Sequence, residues 1–310
     1  MKEDIVLITS YKNPDLDGIA CAIAYAEFLE TIGTHAMPIL FGEPHREGKF
    51  VLEQFDISIP ADGKFRLKKK DKIILVDASD LRGISNLIDP NQIIEIIDHR
   101  IENQAGKFPY AQKQIELVGS CATLIAEKFL EASIVPSRSS AILLYSAIIS
   151  NTVNFKASVT TERDKEMAKW LLRQIKLPKN YVQKMFEAKS QVKQNLKESL
   201  ENDFATFYLN GSKLGVAQIE IIKARDFLRS NEDKIINALT ALKLKKRLDY
   251  IFLTIVDIDN ENNIFLVIDS ESEELLTISL KMKFKNRVAT RKGILMRKTI
   301  VPIIKSALIE

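Results

Sequence analysis

Cysteine and histidine are scarce: the 310 residues hold two of the first, Cys21 and Cys121, and three of the second. No CxxC is present, so a disulfide framework and a cysteine-built zinc site are both excluded, and the usage suits a reducing compartment. Any metal centre must draw mainly on carboxylates. Glycine (11) and proline (9) are too few for a collagen-like or low-complexity chain. No apolar run approaches the roughly 18 residues of a membrane span. The opening MKEDIVLITS lacks the basic and apolar regions of a secretion signal, so a cytoplasmic protein without membrane attachment is expected. Forty-five basic residues against 41 acidic leave a formal charge of +4, too slight an excess to imply nucleic acid as a partner.

What is present is ordinary globular composition, 46% hydrophobic and 28% charged, in a length that suggests two domains. The first half alternates β-branched runs with helical patterns. Strands are expected at 5–11, 36–42, 72–80 and 92–98, and helices at 18–33, 120–132, 137–150 and 162–176. Such alternation predicts an α/β fold with a doubly wound, mainly parallel sheet and active residues at the carboxyl ends of its strands. The rhythm changes near Pro178. A lysine-rich amphipathic helix is expected over 181–202, then a hairpin turning at Asn210-Gly211. A helix over about 224–247, two strands joined by DNENN, further strands and a last helix from about Pro302 complete a smaller α+β domain. The expected boundary divides 1–187 from 188–310.

Three acidic clusters follow expected strands: YKNPDLDG with Asp15 and Asp17, LVDASD with Asp77, and IIDHR with Asp98 and His99. In a parallel sheet such strand ends converge on one crevice. Carboxylates with one imidazole suit a divalent cation such as Mg2+ or Mn2+, and like charges so close repel strongly without one. A single aspartate at a strand end is ordinarily a cap or turn residue; three clusters at three strand ends weigh against that reading for all of them. Gly119-Ser120, at a helix start, would offer backbone N–H groups to a phosphate, although Ser120 and Thr123 also serve as ordinary caps, the role preferred for Thr123. His35 and His45 read as surface or packing residues, Trp170 as core, and both cysteines as small buried residues.

The order of NPDLD, LVDASD, IIDHR, VGSCATLIAEKF and AIISNTVNFKASVTTERDKEMAKWL resembles the DHH phosphoesterase superfamily. Within it the chain is most similar to the manganese-dependent (family II) inorganic pyrophosphatases and related exopolyphosphatases. LGVAQIEII and MRKTIVP are similar to parts of that branch's DHH-associated domain. The resemblance implies a metal-dependent phosphohydrolase of phosphoanhydrides, using one or two Mn2+ or Mg2+ ions in an interdomain cleft. It maps metal-binding aspartates onto Asp15 and Asp17, and an aspartate bridging two metals onto Asp77. His99 becomes a ligand, oriented by Asp98. Asp77, His99 and Arg100 are then the catalytic candidates, with Arg297, Lys298, Arg100 and Ser120 as substrate contacts.

Departures from the family pattern fall on functional positions. Tyr11 stands where the first motif has a histidine ligand, and a phenol of pKa near ~10 is a poor ligand at neutral pH. Arg100 replaces a second histidine, as in the prune branch, and a guanidinium cannot act as general acid. Asn151 replaces an aspartate ligand and can offer only a weak carbonyl oxygen. Weakening of at least one of the two metal positions is therefore expected. Ala205 falls where an earlier substrate-binding lysine is expected, and Arg291-Lys292 form a second basic pair. Two alternatives stand beside the hydrolase reading. One is a DHH-type phosphodiesterase on short oligonucleotides or cyclic nucleotides; the other is a degenerate member that binds a phosphate ligand with little turnover. A homodimer is left open.

Overall fold

Runs of Val, Ile and Leu without alternation make strands buried on both faces, and the first half of the chain builds a parallel sheet from them. The computed structural model describes residues 5–58, 67–81, 83–100, 103–190 and 196–307. The strands of this sheet are β1 (Val6–Thr9), β2 (Ala36–Pro38), β3 (Lys72–Val76), β4 (Ile93–Asp98) and β5 (Gln112–Ile115). Their order is β2-β1-β3-β4-β5 and every pairing is parallel. From β1 the chain runs outward to β2, then returns to place β3 on the other side. That reversal opens a crevice beyond the carboxyl ends of β1 and β3.

The helices of this half are α1 (Leu16–Thr31), α2 (Arg46–Gln54), α3 (Cys121–Glu131), α4 (Arg138–Asn151), α5 (Glu162–Leu172) and α6 (Tyr181–Ser190). The starts of α1, α3, α4 and α5 are set by side-chain caps. Asp15 accepts from Gly18 N at 3.0 Å, and Ser120, Ser137 and Thr161 cap α3, α4 and α5. Asp164 closes the α5 capping box and reaches back across the fold. Its carboxylate accepts Gly119 N at 2.9 and 3.0 Å and Thr123 Oγ1 at 2.6 Å. Thr123 is thus no cap; its buried hydroxyl ties α3 to α5.

The second half forms a mixed sheet in the order β10-β9-β8-β7-β6. Its elements are α7 (Leu196–Asn202), β6 (Phe204–Leu209), β7 (Ser212–Ile221), α8 (Ala224–Lys246), β8 (Tyr250–Asp257), β9 (Asn262–Val267), α9 (Ser270–Leu280), β10 (Val288–Lys292) and α10 (Arg297–Ala307). Asn210 and Gly211 both have positive φ, 44° and 88°, as a type I′ hairpin turn requires. Alternate residues serve opposite faces: Ile251, Leu253 and Ile255 pack with α7 and α8, and Phe252 with α9 and α10.

The chain divides into two units, Met1–Phe155 with Thr160–Ala188, and Lys156–Val159 with Lys189–Glu310. The short excursion at 156–159 joins the second unit through a bridge from Ala157 to Ile294 and a 3.0 Å bond from Ser158 N to Ile294 O. Several expectations change. β5 was not foreseen, because QKQI is a polar edge strand with no apolar run. The short helices α2 and α9 were also unforeseen, α9 lying where further strands were expected. α10 begins at Arg297, with Pro302 inside it rather than at its start. The helix expected over 181–202 is described as α6 and α7, and its residues 191–195 lie outside the described residues. Among the described residues no helix is long and apolar enough to cross a membrane.

Asp164 is 0% exposed, so its removal leaves buried donors without an acceptor. Asp164→Ala is expected to lower stability by about 3 kcal/mol, measured by urea unfolding. Asp164→Asn, which keeps one acceptor oxygen, should lose less.

Candidate metal centre

The crevice gathers side chains from three segments. Asp17 lies in the first turn of α1, Asp77 directly follows β3, Asp98 ends β4, and His99 follows it. Asp77 adopts a left-handed backbone, φ 51°, a conformation that aspartate tolerates better than most residues. Its amide donates to Ile97 O at 2.8 Å, which anchors the turn to β4. Asp17, Asp77 and Asp98 are each 0% exposed, and His99 is 4% exposed.

Asp17, Asp77 and His99 each present a ligand atom within 4.8 Å of the others. His99 Nε2 stands 3.3 Å from Asp77 Oδ1 and 3.8 Å from Asp17 Oδ2. The opposite ring nitrogen, Nδ1, lies 3.0 Å from the carbonyl oxygen of Val118. A carbonyl can only accept, so Nδ1 carries the proton and Nε2 presents its lone pair to the aspartates. Orientation of His99 by the Asp98 side chain is therefore corrected. Asp98 Oδ1 instead accepts the His99 backbone N–H at 2.7 Å, and its other oxygen accepts from Ser79. Ser79 and Val118 lie within LVDASD and VGSCATLIAEKF but were not singled out, because a backbone carbonyl's role is independent of residue type and a serine beside an aspartate has many ordinary uses.

Asp17 is the most heavily bonded of the three acids. Oδ1 accepts from Ser120 Oγ and Ala122 N, both at 2.9 Å, and Oδ2 accepts from Cys121 N at 2.9 Å. The start of α3 does bind an anion, as its free N–H groups and dipole favour, but that anion is Asp17. Ser120 and the following amides are engaged there, and Gly119 N is engaged by Asp164, so this helix start is not open to a phosphate in the way expected. Asn151, at the end of α4, donates Nδ2 to Asp17 Oδ2 at 2.5 Å; its amide is aimed as a donor, not as a carbonyl ligand. Cys21 and Cys121 are both fully buried beside this cluster, and burial pushes both thiols up.

Asp15 caps α1, half-buried, and lies outside the three-residue group. Its charge is nevertheless felt. Burial, then the Asp15 carboxylate, push the Asp17 carboxyl up to about 6. Burial and the charges of Asp15, Asp17 and Asp98 raise Asp77 further, well above the usual carboxylate range. Asp77 Oδ2 is buried without a hydrogen-bond partner. A buried oxygen of that kind, beside an imidazole lone pair and a second carboxylate, fits a hard or borderline divalent cation.

Arg100 enters the same cluster. Nη1 donates to the Asp77 carbonyl and Nη2 to Asp77 Oδ1, both at 3.0 Å. The guanidinium lies 4.3 Å from the centroid of the Tyr11 ring, within cation–π range. Tyr11 itself packs against a cluster that includes Ile84 and Ile88. In the second unit, Arg297 opens α10 with Lys298 beside it, and Arg297 is held by Asp203, Nη2 to Oδ1 at 2.8 Å and Nη1 to the carbonyl at 2.7 Å. Ala205 lies in β6, and Arg291 and Lys292 end β10.

Two family models match the chain, the DHH family N-terminal domain over residues 5–148 and the DHHA2 domain over 183–307. A Clostridium acetobutylicum protein named as a probable manganese-dependent inorganic pyrophosphatase is 32% identical over 99% of this chain and 99% of its own length. A similarly named Bacillus cereus protein is 30% identical over 97% of this chain and 98% of its own. A Methanococcus jannaschii crystal structure assigned to the family II inorganic pyrophosphatases superposes with a TM-score of 0.84 at 31% identity, covering 98% of this chain and 100% of that one.

The raised Asp17 carboxyl sets a pH dependence. Its folded pKa of about 6 exceeds the ~3.9 of an unfolded aspartate, so the folded state holds the proton more tightly. Metal-free protein should therefore lose stability as pH rises from about 4 to 6, by ~3 kcal/mol at most. Thermal melts in EDTA across that window check this, and Asp17→Asn should flatten the dependence.

Proposed function

The chain belongs to the DHH family, in the DHHA2-bearing branch of the manganese-dependent (family II) inorganic pyrophosphatases, and we propose that it hydrolyses a phosphoanhydride, with pyrophosphate as substrate. The observation that carries this reading is the buried Asp17–Asp77–His99 group at the switch point of a sheet whose full-length relatives bear that name. Asp17, Asp77 and His99 would hold Mn2+ or Mg2+, with Asp15 contributing charge from the rim. Mn2+ or Mg2+ held by these residues would supply activation of a water and neutralisation of phosphate charge.

The protein groups have separable roles. Val118 keeps the proton on His99 Nδ1, so Nε2 is available as a donor of electrons at every pH where the ring is neutral. Arg100, its side chain 24% exposed, supplies a permanent positive charge to phosphate oxygens. It cannot protonate a leaving group, since its own pKa is far above neutral. The departing orthophosphate must then leave as a trianion stabilised by positive charge, or take a proton from water and leave as the hydrogenphosphate dianion. Arg297 and Lys298 are the proposed phosphate contacts of the second unit, with Arg297 preset by Asp203. The two thiols, buried and unpaired, are in keeping with a cytoplasmic protein.

A second reading, a phosphate-binding member with little turnover, is favoured by one observation. Asn151 donates to Asp17 Oδ2 where an ionised ligand would strengthen the site. Release of phosphate from pyrophosphate, polyphosphate and a dinucleotide, each with Mn2+ and with EDTA, separates the readings. Metal-dependent cleavage of pyrophosphate is expected. Cleavage of the dinucleotide alone would favour a phosphodiesterase, and no cleavage with retained phosphate binding would favour the second reading.

Two variants test the residues. Asp77→Ala should abolish Mn2+ binding in calorimetry, because it removes the oxygen that has no other partner. Asn151→Asp should tighten Mn2+ binding about tenfold, equivalent to ~1.4 kcal/mol, by exchanging a donor for a carboxylate.

A further inference from the structure

Arg100 lies within the carboxylate cluster, not at its rim. It grips both the carbonyl and Oδ1 of Asp77 at 3.0 Å, and its Nη1 stands 3.7 Å from Asp98 Oδ2. Tyr11 backs the guanidinium at 4.3 Å. The Tyr11 ring is itself pressed against Gly83, where a Cβ would come within 2.2 Å of a ring carbon. This is a fixed, permanently charged group in direct contact with an aspartate of the candidate metal group.

The oxygens that remain set the capacity of the site. Both oxygens of Asp17 accept donors from α3, and Oδ2 also accepts from Asn151. Asp98 is bonded by Ser79 and by the His99 amide. Asp77 Oδ1 accepts from Arg100, and Asp77 Oδ2 alone has no hydrogen-bond partner. Only one group of ligand atoms, that of Asp17, Asp77 and His99, comes together among the described residues. Charge gives the same count. Three fully buried carboxylates and the half-buried Asp15 carry up to four negative charges; one guanidinium and one divalent ion offset three of them, whereas a second divalent ion would turn the resting cluster net positive or would have to expel the guanidinium.

We propose that Arg100 is a built-in cation standing in the place of a second ion at Asp77, so that each chain binds a single divalent ion. The proposal rests on the reading of Asp17, Asp77 and His99 as a divalent-ion site. It differs from that reading in fixing the number of ions and in naming the residue that sets it.

Native mass spectrometry of the full chain titrated with Mn2+ tests it, paired with electron paramagnetic resonance. One Mn2+ per chain and an uncoupled signal are expected at saturation. Two ions per chain, or the signal of a coupled pair, would overturn the proposal while leaving the hydrolase reading intact. No bound ion would overturn both. One bound ion without hydrolysis would sink the hydrolase reading alone. Arg100→Met, which removes the charge and keeps the length, should gain a second equivalent of Mn2+. If that variant folds and still binds one ion with unchanged affinity, Arg100 does not hold an ion's place; if it does not fold, the count for the unaltered chain decides.

Discussion

Three aspartate carboxylates, those of Asp17, Asp77 and Asp98, share one sheet end with no exposure to water, and the local architecture is organised around making that arrangement tolerable. Buried charge is costly unless donors or counter-ions surround it. Asp17 is met by a hydroxyl, two amides of α3 and the Asn151 side chain; Asp98 by Ser79 and a main-chain amide; Asp77 by Arg100. The start of α3 must therefore abut the first turn of α1, and the end of α4 must reach the same point. Asp164 fixes that geometry from behind, since it holds Gly119 at the turn into α3.

The incomplete neutralisation of Asp77 gives the cluster its chemistry. One oxygen is bonded by Arg100 and the other is buried with no hydrogen-bond partner, while the raised carboxyls of Asp17 and Asp77 record their burial first and then the repulsion between neighbouring aspartates that a cation would relieve. The positions where this chain departs from its family's pattern, Tyr11, Arg100 and Asn151, act on this balance together. Arg100 and Asn151 bring donors directly to Asp77 and Asp17, and Tyr11 supports Arg100 from behind. These changes are coupled in space although they are far apart in the sequence. Asn151 and Arg100 reduce the negative charge that the cluster would offer to a metal, whereas Tyr11 acts only through Arg100.

Much of the site was legible in the residues. Asp17, Asp77 and His99 occupy short motifs after strands, and a parallel sheet places such motifs at one end; Asp15, in the same motif as Asp17, instead caps α1. The alternation of apolar runs and helical patterns carried most of the elements of the first unit, and Asn210-Gly211 marked its hairpin in the second. β5 was illegible because its residues are polar and its pairing is made by the backbone, which every sequence possesses. The same holds for the strap at 156–159, whose bond to Ile294 is a main-chain contact, and for Val118, which orients His99 through a carbonyl.

The sequence by itself therefore determined the family, the two-part organisation and the acids that could hold a cation, because motif order and hydrophobic period are local properties. Only the tertiary structure decided what each acid does. It turned the α3 helix start toward Asp17 and placed the Arg100 guanidinium between Asp77 and Tyr11. It also aimed the Asn151 amide inward and assigned the proton of His99 to Nδ1. Each of those outcomes depends on which donor lies within about 3 Å of which acceptor, a relation between segments that no linear pattern encodes.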